Sequence, residues 1–338
     1  MAGGSGERFW PMSRASTPKH LLKLLGDRTL LEAAVRRLEG LLPPENIFVL
    51  TNVAQHDAAV RELPFLPPEN IIAEPAKRDT APACALATAI ARARGGDNTV
   101  CAMLPADAMI HDGAKFRSQL ESAFVAAEES DVIVTFAIPP KYPATGFGYL
   151  HMEEGDCPVP VKRFVEKPDL ETAQAYVADG GYGWNAGIFF WQTGLFLREA
   201  RKHVPDLAVF IEEFPVGDPS AYLADHFEHL PKISVDYAIL ERAERVVAIR
   251  AEFDWDDVGS WTALPSHLPV DDRENCVTGE VVLHDASGNI VVANSRLVAL
   301  CGVSDLVVVE TEDAVLICHR NAAQDIKKLQ PLLPDGVR

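Results

Sequence analysis

The sequence predicts an α/β protein whose mostly parallel sheet carries helices on both faces, followed by a small C-terminal all-β module. Three observations support this fold class. Between about residues 29 and 138, apolar residues at helical spacing alternate with short apolar runs typical of buried strands. After Pro139-Pro140 the strands become shorter and are broken by helices. From about residue 275 onward, short strands follow one another with turns between them.

The first region contains alternating helices and strands. Thr80 is expected to cap a helix, because Pro82 fits the first turn that would follow it. Strand, helix and strand in succession give parallel neighbours joined by right-handed crossovers, so we expect a Rossmann-like sheet. The predicted elements are a helix over 30–41, a strand at 47–50, a helix over 54–63, a strand at 71–72, a helix from 80, a strand at 100–104, a helix over 114–129 and a strand at 132–138.

We expect two domains. The first, 1–268, includes a substrate lobe at 139–262 that is inserted at one edge of the sheet, and the second, 269–338, is the β module with a terminal helix. The lobe is predicted to contain strands at 148–152, 161–166 and 184–191 and helices at 170–178, 193–203 and 234–243. The module is predicted to contain strands at 281–284, 289–293, 297–300, 306–310 and 314–318 and a helix at 321–330.

The composition excludes several classes of function. Forty-nine acidic residues against 31 basic ones give a net charge of −18, which argues against nucleic acid or an anionic membrane as a partner. No apolar run reaches the ~18 residues that a membrane helix needs. The six cysteines contain no C-x-x-C pair, and several lie in apolar runs where a buried free thiol is expected. The sequence therefore predicts a cytoplasmic protein.

The N-terminal segment has the composition of a phosphate-binding loop. Gly3, Gly4, Ser5 and Gly6 are followed by basic residues at 8, 14, 19 and 23. Glycines let backbone N–H groups approach phosphate oxygens, and the cations supply the opposite charge. Phe9 occupies the third glycine position of G-x-G-x-x-G, and the Walker pattern is absent, so neither of those loops is indicated. The alternative interpretation is a flexible N-terminal tag.

The pattern ending at Lys19, A-G-G-S-G-x-R-x-W-P-x-S-R-x-x-x-P-K, resembles the signature of the sugar-phosphate nucleotidyltransferases. The version with Trp10-Pro11 and Ser13-Arg14 is similar to that of the bacterial members that transfer a guanylyl group to mannose 1-phosphate. Seven further blocks follow in the family's order: E-P-A-K-R-D-T-A-P at 74–82, L-P-A-D at 104–107, G-F-G-Y at 146–149, F-V-E-K-P at 164–168, W-N-A-G at 184–187, S-V-D-Y at 234–237 and D-V-G-S-W at 257–261.

The resemblance implies the reaction of GTP with mannose 1-phosphate to give GDP-mannose and pyrophosphate. The attacking phosphate oxygen is already anionic near pH 7, because the second pKa of a phosphate monoester is about 6. No side-chain nucleophile is needed, and the protein must position the reactants and neutralise charge with cations and a metal. The resemblance assigns Arg8 and Lys19 as these cations.

Two carboxylates are candidate ligands of Mg²⁺. Asp107 follows the strand at 100–104, at the carboxyl end where open α/β sheets bind ligands, although a turn aspartate there is usually a helix cap. Asp257 belongs to an acidic turn, and it would complete an oxygen site with Asp107. Asp256 is the competing assignment. The family commonly has His after the first aspartate, whereas this chain has Ala108.

Other matched blocks are expected to bind the two substrates. Arg78, Asp79 and Thr80 resemble the nucleotide-facing block, together with the glycine loop. The resemblance assigns five residues to the sugar phosphate: Gly146, Gly148, Glu166, Lys167 and Asn185. Glu166 would accept sugar hydroxyls, and Lys167 would hold the phosphate. By position alone the glycines fit simple turns, and Glu-Lys before Pro is a common strand end.

Other functions remain open at this stage. The same chemistry could use another base, or another hexose or heptose 1-phosphate. A catalytically silent nucleotide-sugar sensor would not need Lys19, Asp107 and Asp257, all of which are present, so the enzyme is favoured. A homodimer is one option for the oligomeric state.

The start of the chain carries a further expectation. In the family the glycine loop follows a buried central strand, whereas here the loop begins at residue 2. We therefore expect an unfilled place between two strands and a marginally stable chain. Two interpretations are open: Met1 is an internal methionine of a longer protein, or the start of the chain is wrongly placed.

Overall fold

A computed structural model describes residues 1–4 and 6–338. Its first part contains the predicted alternation of helices and strands. The elements are α1 (Leu30–Arg36), β1 (Val49–Asn52), α2 (Val53–Glu62), β2 (Ile71–Glu74), α3 (Thr80–Gly95), β3 (Val100–Met103), α4 (Gly113–Glu129) and β4 (Ile133–Ile138).

The inserted lobe follows β4. Its elements are β5 (Gly148–Met152), β6 (Val159–Glu166), α5 (Leu170–Asp179), β7 (Tyr182–Gln192), α6 (Thr193–His203), α7 (Pro205–Glu212), α8 (Ser220–His226) and β8 (Val246–Arg250). The helix predicted at 234–243 is a shorter π-helical turn, Asp236–Leu240. Strand β8 was not predicted. It lies between β4 and β6 in the sheet and contributes buried apolar side chains.

The C-terminal module is built from short strands. These are β9 (Cys276–Thr278), β10 (Val281–His284), β11 (Ile290–Ala293), β12 (Val298–Cys301), β13 (Leu306–Glu310) and β14 (Val315–His319). Five of them match predicted strands, and β9 was not predicted. The terminal segment Arg320–Leu332 is a 3₁₀ helix that contains Pro331.

The central sheet has the strand order β3-β7-β4-β8-β6-β5. The α/β class is confirmed, but the strand directions differ from the expected mostly parallel sheet. Strand β7 runs antiparallel between β3 and β4, and β6 runs antiparallel to both β8 and β5. Only β4 and β8 pair in parallel among the described strands of this sheet. The long strand β7 of the lobe separates β3 from β4, which point the same way and were expected to be neighbours.

The start of α3 is capped by a residue other than the predicted one. Asp79 is the N-cap, and its Oδ1 accepts the N–H of Thr80 at 2.8 Å. The hydroxyl of Thr80 instead accepts the N–H of Val235 at 2.9 Å. Thr80 therefore ties the start of α3 to the segment that precedes the π-helical turn.

An apolar cavity lies between β1 and β3. Strands β1 and β2 form a separate two-stranded parallel sheet, and Met1 and Ala2 connect its edge to the end of β3. The Ala2 N–H donates to Leu50 O at 2.8 Å, and the Met1 ammonium donates to Leu104 O at 2.8 Å. The cavity has a volume of about 420 Å³. Side chains of α1, β1, α3, β3 and α4 line it.

The cysteines and the helices agree with what the composition indicates. Cys84, Cys101 and Cys276 are buried free thiols, as expected for several of the cysteines. Within the described ranges, no helix combines the length and the apolar character needed to cross a membrane.

The β module packs against the first part of the chain through one apolar cluster, which we call the junction cluster. Its members from the first part include Phe9, Trp10, Val258 and Trp261, and those from the module include Ile290, Val292, Val307, Val309, Leu316 and Ile326. In this cluster, Phe9 and Trp10 come shortly after the N-terminal glycine loop, and Val258 and Trp261 come shortly after Asp257.

Candidate active site

The glycine loop is held open next to Lys19. Gly6 has φ 62°, and a Cβ atom there would lie 2.6 Å from the backbone nitrogen of Lys19. A side chain at Gly6 would therefore displace the segment that carries Lys19. Gly3 and Gly4 are exposed, and a Cβ atom at Gly4 would meet nothing within 4 Å, so this backbone is accessible to a ligand. Ser5, the remaining predicted member of the loop, lies outside the described residues.

Lys19 brings together two distant parts of the chain. Its side chain is largely buried, with the residue 7% exposed. Its Nζ donates to Asp107 Oδ2 at 3.0 Å and also to the backbone carbonyl of Asp257. The structure therefore places two predicted site residues, Asp107 and Asp257, around the ammonium group of a third, Lys19.

The electrostatic environment of Asp257 suits a cation. The pKa of Asp257 is raised to about 6, mainly by burial and also by the charges of Asp256 and Asp107, while Lys19 and Arg8 oppose the shift. A divalent cation at this carboxylate would favour its ionised form. Asp107, whose side chain is 44% exposed, contacts the same lysine and could supply a second oxygen.

These donors fit the ligand preferences of Mg²⁺. In the part of the chain that the structure describes, no group of three or more His, Cys, Asp or Glu side chains is arranged to hold a metal. Two carboxylates leave the other coordination positions to water and phosphate oxygens, and Mg²⁺ bound together with a phosphate substrate is usually held in this way.

Asp256, the competing candidate, is already engaged on both carboxylate oxygens. Its Oδ1 accepts the N–H of Val258 at 2.7 Å, and its Oδ2 lies 3.0 Å from His267 Nε2. His267 in turn contacts His111, with 2.9 Å between their ring nitrogens. Asp256 therefore shapes the turn, which supports Asp257 as the metal ligand.

The two arginines of the N-terminal segment have different environments. The Nε atom of Arg8 is buried, and it has no hydrogen-bond partner within 1–4 and 6–338. The Arg8 charge acts on Asp257, so it lies close enough to serve the same site. Arg14 instead points to the β module, where its Nη2 donates to both carboxylate oxygens of Asp313 at 2.9 and 3.1 Å.

The predicted nucleotide block borders the glycine loop. Arg78 has a buried Nε for which the described residues provide no partner, and Asp79 is exposed with φ 70°. The chain reaches this block from β2, whose last residue Glu74 lies beside Gly3: a Cβ atom there would be 3.9 Å from Glu74 Oε2. Burial raises the pKa of Glu74 to about 7. No role was predicted for Glu74 from the sequence.

A second group of predicted residues lies at the junction of β5 and β6. Glu166 is nearly buried, and its Oε1 accepts the ammonium of Lys167 at 2.7 Å. A Cβ atom at Gly148 would be 2.6 Å from Glu166 Oε2, so the glycine gives this carboxylate its space. A Cβ atom at Gly146 would meet nothing within 4 Å, which leaves open space at that position. Lys167 has φ 47° and is largely exposed.

Asn185 adjoins this group through a buried acid that sequence reasoning missed. Its Nδ2 donates to Asp236 Oδ1 at 3.2 Å, while its Oδ1 accepts the hydroxyl of Thr135 at 3.3 Å and the N–H of Gly187 at 3.1 Å. Burial, together with the charge of Glu166, raises the pKa of Asp236 to about 7. Asp236 lies in the S-V-D-Y block, and that block was the available signal.

Four aromatic rings join the two groups of residues. Trp184 contacts Tyr142 and Phe147 at centroid distances of 4.9 and 5.2 Å, and Phe147 contacts Trp255 at 5.5 Å. Trp255 precedes Asp257 by two residues, and Phe147 lies between Gly146 and Gly148. The indole N–H groups of both tryptophans are buried, and neither has a hydrogen-bond partner in the described chain. This aromatic wall was not predicted.

Two family models match this chain. A model described as nucleotidyl transferase matches residues 1–270. A second, described as a MannoseP isomerase/GMP-like beta-helix domain, matches residues 279–331. These matches agree with the α/β first part and the C-terminal β module.

Named relatives cover nearly the whole chain. It is 41% identical to the mannose-1-phosphate guanylyltransferase of Escherichia coli strain K12, with 99% of this chain and 73% of the relative covered. It is 37% identical to the enzyme of the same name from Klebsiella pneumoniae, with 100% and 74% covered. A solved structure from Thermus thermophilus, described as a mannose-1-phosphate geranyltransferase, superposes with a TM-score of 0.89 at 36% identity, covering 98% of this chain and 97% of that chain. The resemblance drawn from the sequence blocks is confirmed.

Proposed function

The chain belongs to the nucleotidyl transferase family, and we propose that it converts GTP and mannose 1-phosphate into GDP-mannose and pyrophosphate. The observation that carries this proposal is the meeting of Lys19, Asp107 and Asp257 beside an accessible glycine loop. A nucleotide-binding protein without catalysis would not need a buried lysine that contacts both the Asp107 carboxylate and the backbone carbonyl of Asp257. The choice of guanine and mannose rests on the relatives' names and on the sequence blocks.

The proposed mechanism depends on charge and position. The loop of Gly3, Gly4, Ser5 and Gly6 would receive the triphosphate on its backbone N–H groups. Arg8 would direct its buried Nε–H, which has no hydrogen-bond partner among the described residues, toward a phosphate oxygen. Lys19 would donate to the α-phosphate as negative charge grows there in the transition state, a charge-stabilising role that requires no proton transfer.

The family uses a divalent metal, and we propose Mg²⁺ held by Asp107 and Asp257. When bound, the metal would neutralise phosphate charge and align the departing pyrophosphate. Asp107 would hold the metal through its partly exposed carboxylate, and Lys19, which contacts that carboxylate, would donate to the substrate phosphate.

The second group would hold mannose 1-phosphate. Glu166 would accept sugar hydroxyls, and the exposed Lys167 would exchange its ion pair with Glu166 for the sugar phosphate. Asn185 and the open space at Gly146 and Gly148 would complete the pocket. The nucleotide base would lie near Arg78, Asp79 and Thr80.

The proposal is tested by product analysis. Incubation with GTP, mannose 1-phosphate and Mg²⁺ should yield GDP-mannose and pyrophosphate in equal amounts, and removal of the metal with EDTA should stop both. Hydrolysis of GTP without GDP-mannose, or binding of both substrates without turnover, would contradict the proposal.

A further inference from the structure

The turn after the glycine loop and the segment after Asp257 contact each other next to the proposed site. The ring of Phe9, in the turn after the glycine loop, contacts the ring of Trp261 edge-on at a centroid distance of 5.1 Å. The indole N–H of Trp261 donates to the carbonyl of Trp10 at 3.2 Å. Trp261 follows Asp257 by four residues, so this contact couples the lysine side of the site to the carboxylate side.

The β module supports both loops from below. Its terminal segment Arg320–Leu332 contacts the turns Glu7–Phe9 and Trp261–Ser266, and Ile326 of that segment is buried in the junction cluster. Val309 of β13 belongs to the same cluster and is fully buried. The apolar side chains of Arg320–Leu332 and of β13 therefore fix the positions of the two loops relative to the module.

Polar contacts fix the same interface. The indole N–H of Trp10 donates to the carbonyl of Val337 at 2.8 Å. The Arg14–Asp313 ion pair connects the signature segment to the turn between β13 and β14. Gln324 Nε2 lies 3.4 Å from the hydroxyl of Ser260, in the turn that follows Asp257.

Val258 shows how this support reaches Asp257. It is a β-branched residue with φ 45°, a conformation that costs free energy and persists only where the surroundings enforce it. Its side chain is fully buried in the junction cluster, and its N–H donates to Asp256 Oδ1. Because Val258 directly follows Asp257, this geometry sets the direction of the Asp257 carbonyl that Lys19 contacts.

We infer that the C-terminal β module is a positioning element for the reaction: through the junction cluster it fixes Lys19 and Asp257 relative to each other. The inference rests on the proposed roles of these two residues. Module residues such as Val309 and Ile326 act through the loops and touch no substrate.

Neighbouring valines of β13 provide a matched test. Val309 lies in the junction cluster, whereas Val308 is 4% exposed and lies outside it. Each Val→Ala change removes the same two methyl groups. Assayed well below the melting temperature, Val309→Ala should lower kcat about tenfold with little change in the KM for GTP, since small misplacement of reacting groups lowers the rate strongly. It should also raise the Mg²⁺ concentration for half-maximal rate. Val308→Ala should lower the melting temperature comparably and leave kcat within about twofold of the unmodified protein.

Ile326 provides a second series. Ile326→Ala should reproduce the kcat and Mg²⁺ effects of Val309→Ala, and the conservative Ile326→Val should largely restore both. Equal losses in Val308→Ala and Val309→Ala, or unchanged kcat in both Val309→Ala and Ile326→Ala, would overturn the inference. Failure of the proposed function would look different, because Asp257→Asn would then leave the rate and its Mg²⁺ dependence unchanged. Should Val309→Ala fail to fold, the comparison of Ile326→Ala with Val308→Ala decides.

Discussion

The Nζ atom of Lys19 lies 3.0 Å from Oδ2 of Asp107, although 88 residues separate them along the chain. The same Nζ donates to the carbonyl of Asp257, which is 238 residues away. Lys19 is buried, so its ammonium is largely screened from water by these contacts. Folding thus brings distant residues together around the Lys19 ammonium. A bound phosphate could accept hydrogen bonds from this ammonium in their place.

Replacement of Lys19 tests the proposed role of this cation. Lys19→Ala should lower kcat by roughly 10²–10³, the scale for losing one donor that acts on transition-state charge. Steady-state kinetics at saturating substrates would measure it.

Lys23 is the matched control, because it is a nearby lysine of the same segment and is exposed. Lys23→Ala should leave kcat within about twofold, since an exposed lysine outside the site stabilises no transition-state charge. A Lys19→Ala variant with unchanged kcat would remove Lys19 from the mechanism.

The two carboxylates should act as a unit. Asp107→Asn and Asp257→Asn should each raise the Mg²⁺ requirement sharply, and the double variant should lose much less than the sum of the two losses, because groups sharing one metal are not additive. Mg²⁺ titrations of the rate, with circular dichroism to verify folding, would measure this. Additive losses would argue for separate roles.

Asp256→Asn distinguishes the neighbouring acid. Both of its carboxylate oxygens are engaged, with Val258 and His267, so the change should disturb the turn and stability more than the Mg²⁺ requirement. A larger rise in the Mg²⁺ requirement than for Asp257→Asn would show that Asp256 is the ligand.

Much of this arrangement could be predicted from the sequence, because the candidate site residues lie in short blocks with fixed spacing. The glycine loop, Lys19 and Asp107 are such cases. Strand β8 was missed because its valines at 246–247 follow a charged stretch and carry no clear period. Thr80 was assigned as the cap of α3 because both Asp79 and Thr80 are good capping residues, and only the backbone conformation distinguishes them.

Long-range contacts account for the remainder. The antiparallel place of β7 depends on where the inserted lobe returns to the sheet, and local periodicity does not contain that information. The raised pKa of Asp236 depends on burial and on the nearby charge of Glu166. Asp236, its hydrogen-bond partner Asn185 and Glu166 belong to different elements of the fold. The junction cluster likewise joins residues at opposite ends of the chain.

Asp236 should make stability depend on pH. Its pKa rises from 3.8 to about 7 in the folded protein through burial, then through the charge of Glu166, while Lys167 and the Ser234 hydroxyl oppose the shift. The folded state therefore binds this proton more tightly, and the resulting stabilisation is present below about pH 4 and is lost as the pH rises through about 7. Asp236→Asn removes the ionisation, so its melting temperature relative to the unmodified protein should increase between pH 4 and pH 8. A difference independent of pH would contradict the assignment.

The cavity between β1 and β3 predicts the effect of an added strand. Five apolar residues placed ahead of Met1 should fill the volume of about 420 Å³ and pair with both strand edges. They would also replace the buried ammonium of Met1, whose pKa burial lowers, with an amide. Each buried apolar side chain contributes about 1.5–3 kcal/mol, so the melting temperature should rise.

An extension of five glycine and serine residues is the control for the added strand. It provides the same backbone and no apolar side chains, and it should stabilise less. Equal melting temperatures for the two extensions would show that this cavity does not accept a strand from the N-terminal side.

Guanylyl transfer to mannose 1-phosphate is tested most directly by pyrophosphate release measured across five nucleoside triphosphates and several sugar 1-phosphates. We predict the highest kcat/KM for GTP with mannose 1-phosphate, and loss of release when either substrate or the divalent metal is omitted. A higher kcat/KM for another base or another hexose or heptose 1-phosphate would contradict the assigned specificity. No release with any pair would contradict the enzyme itself.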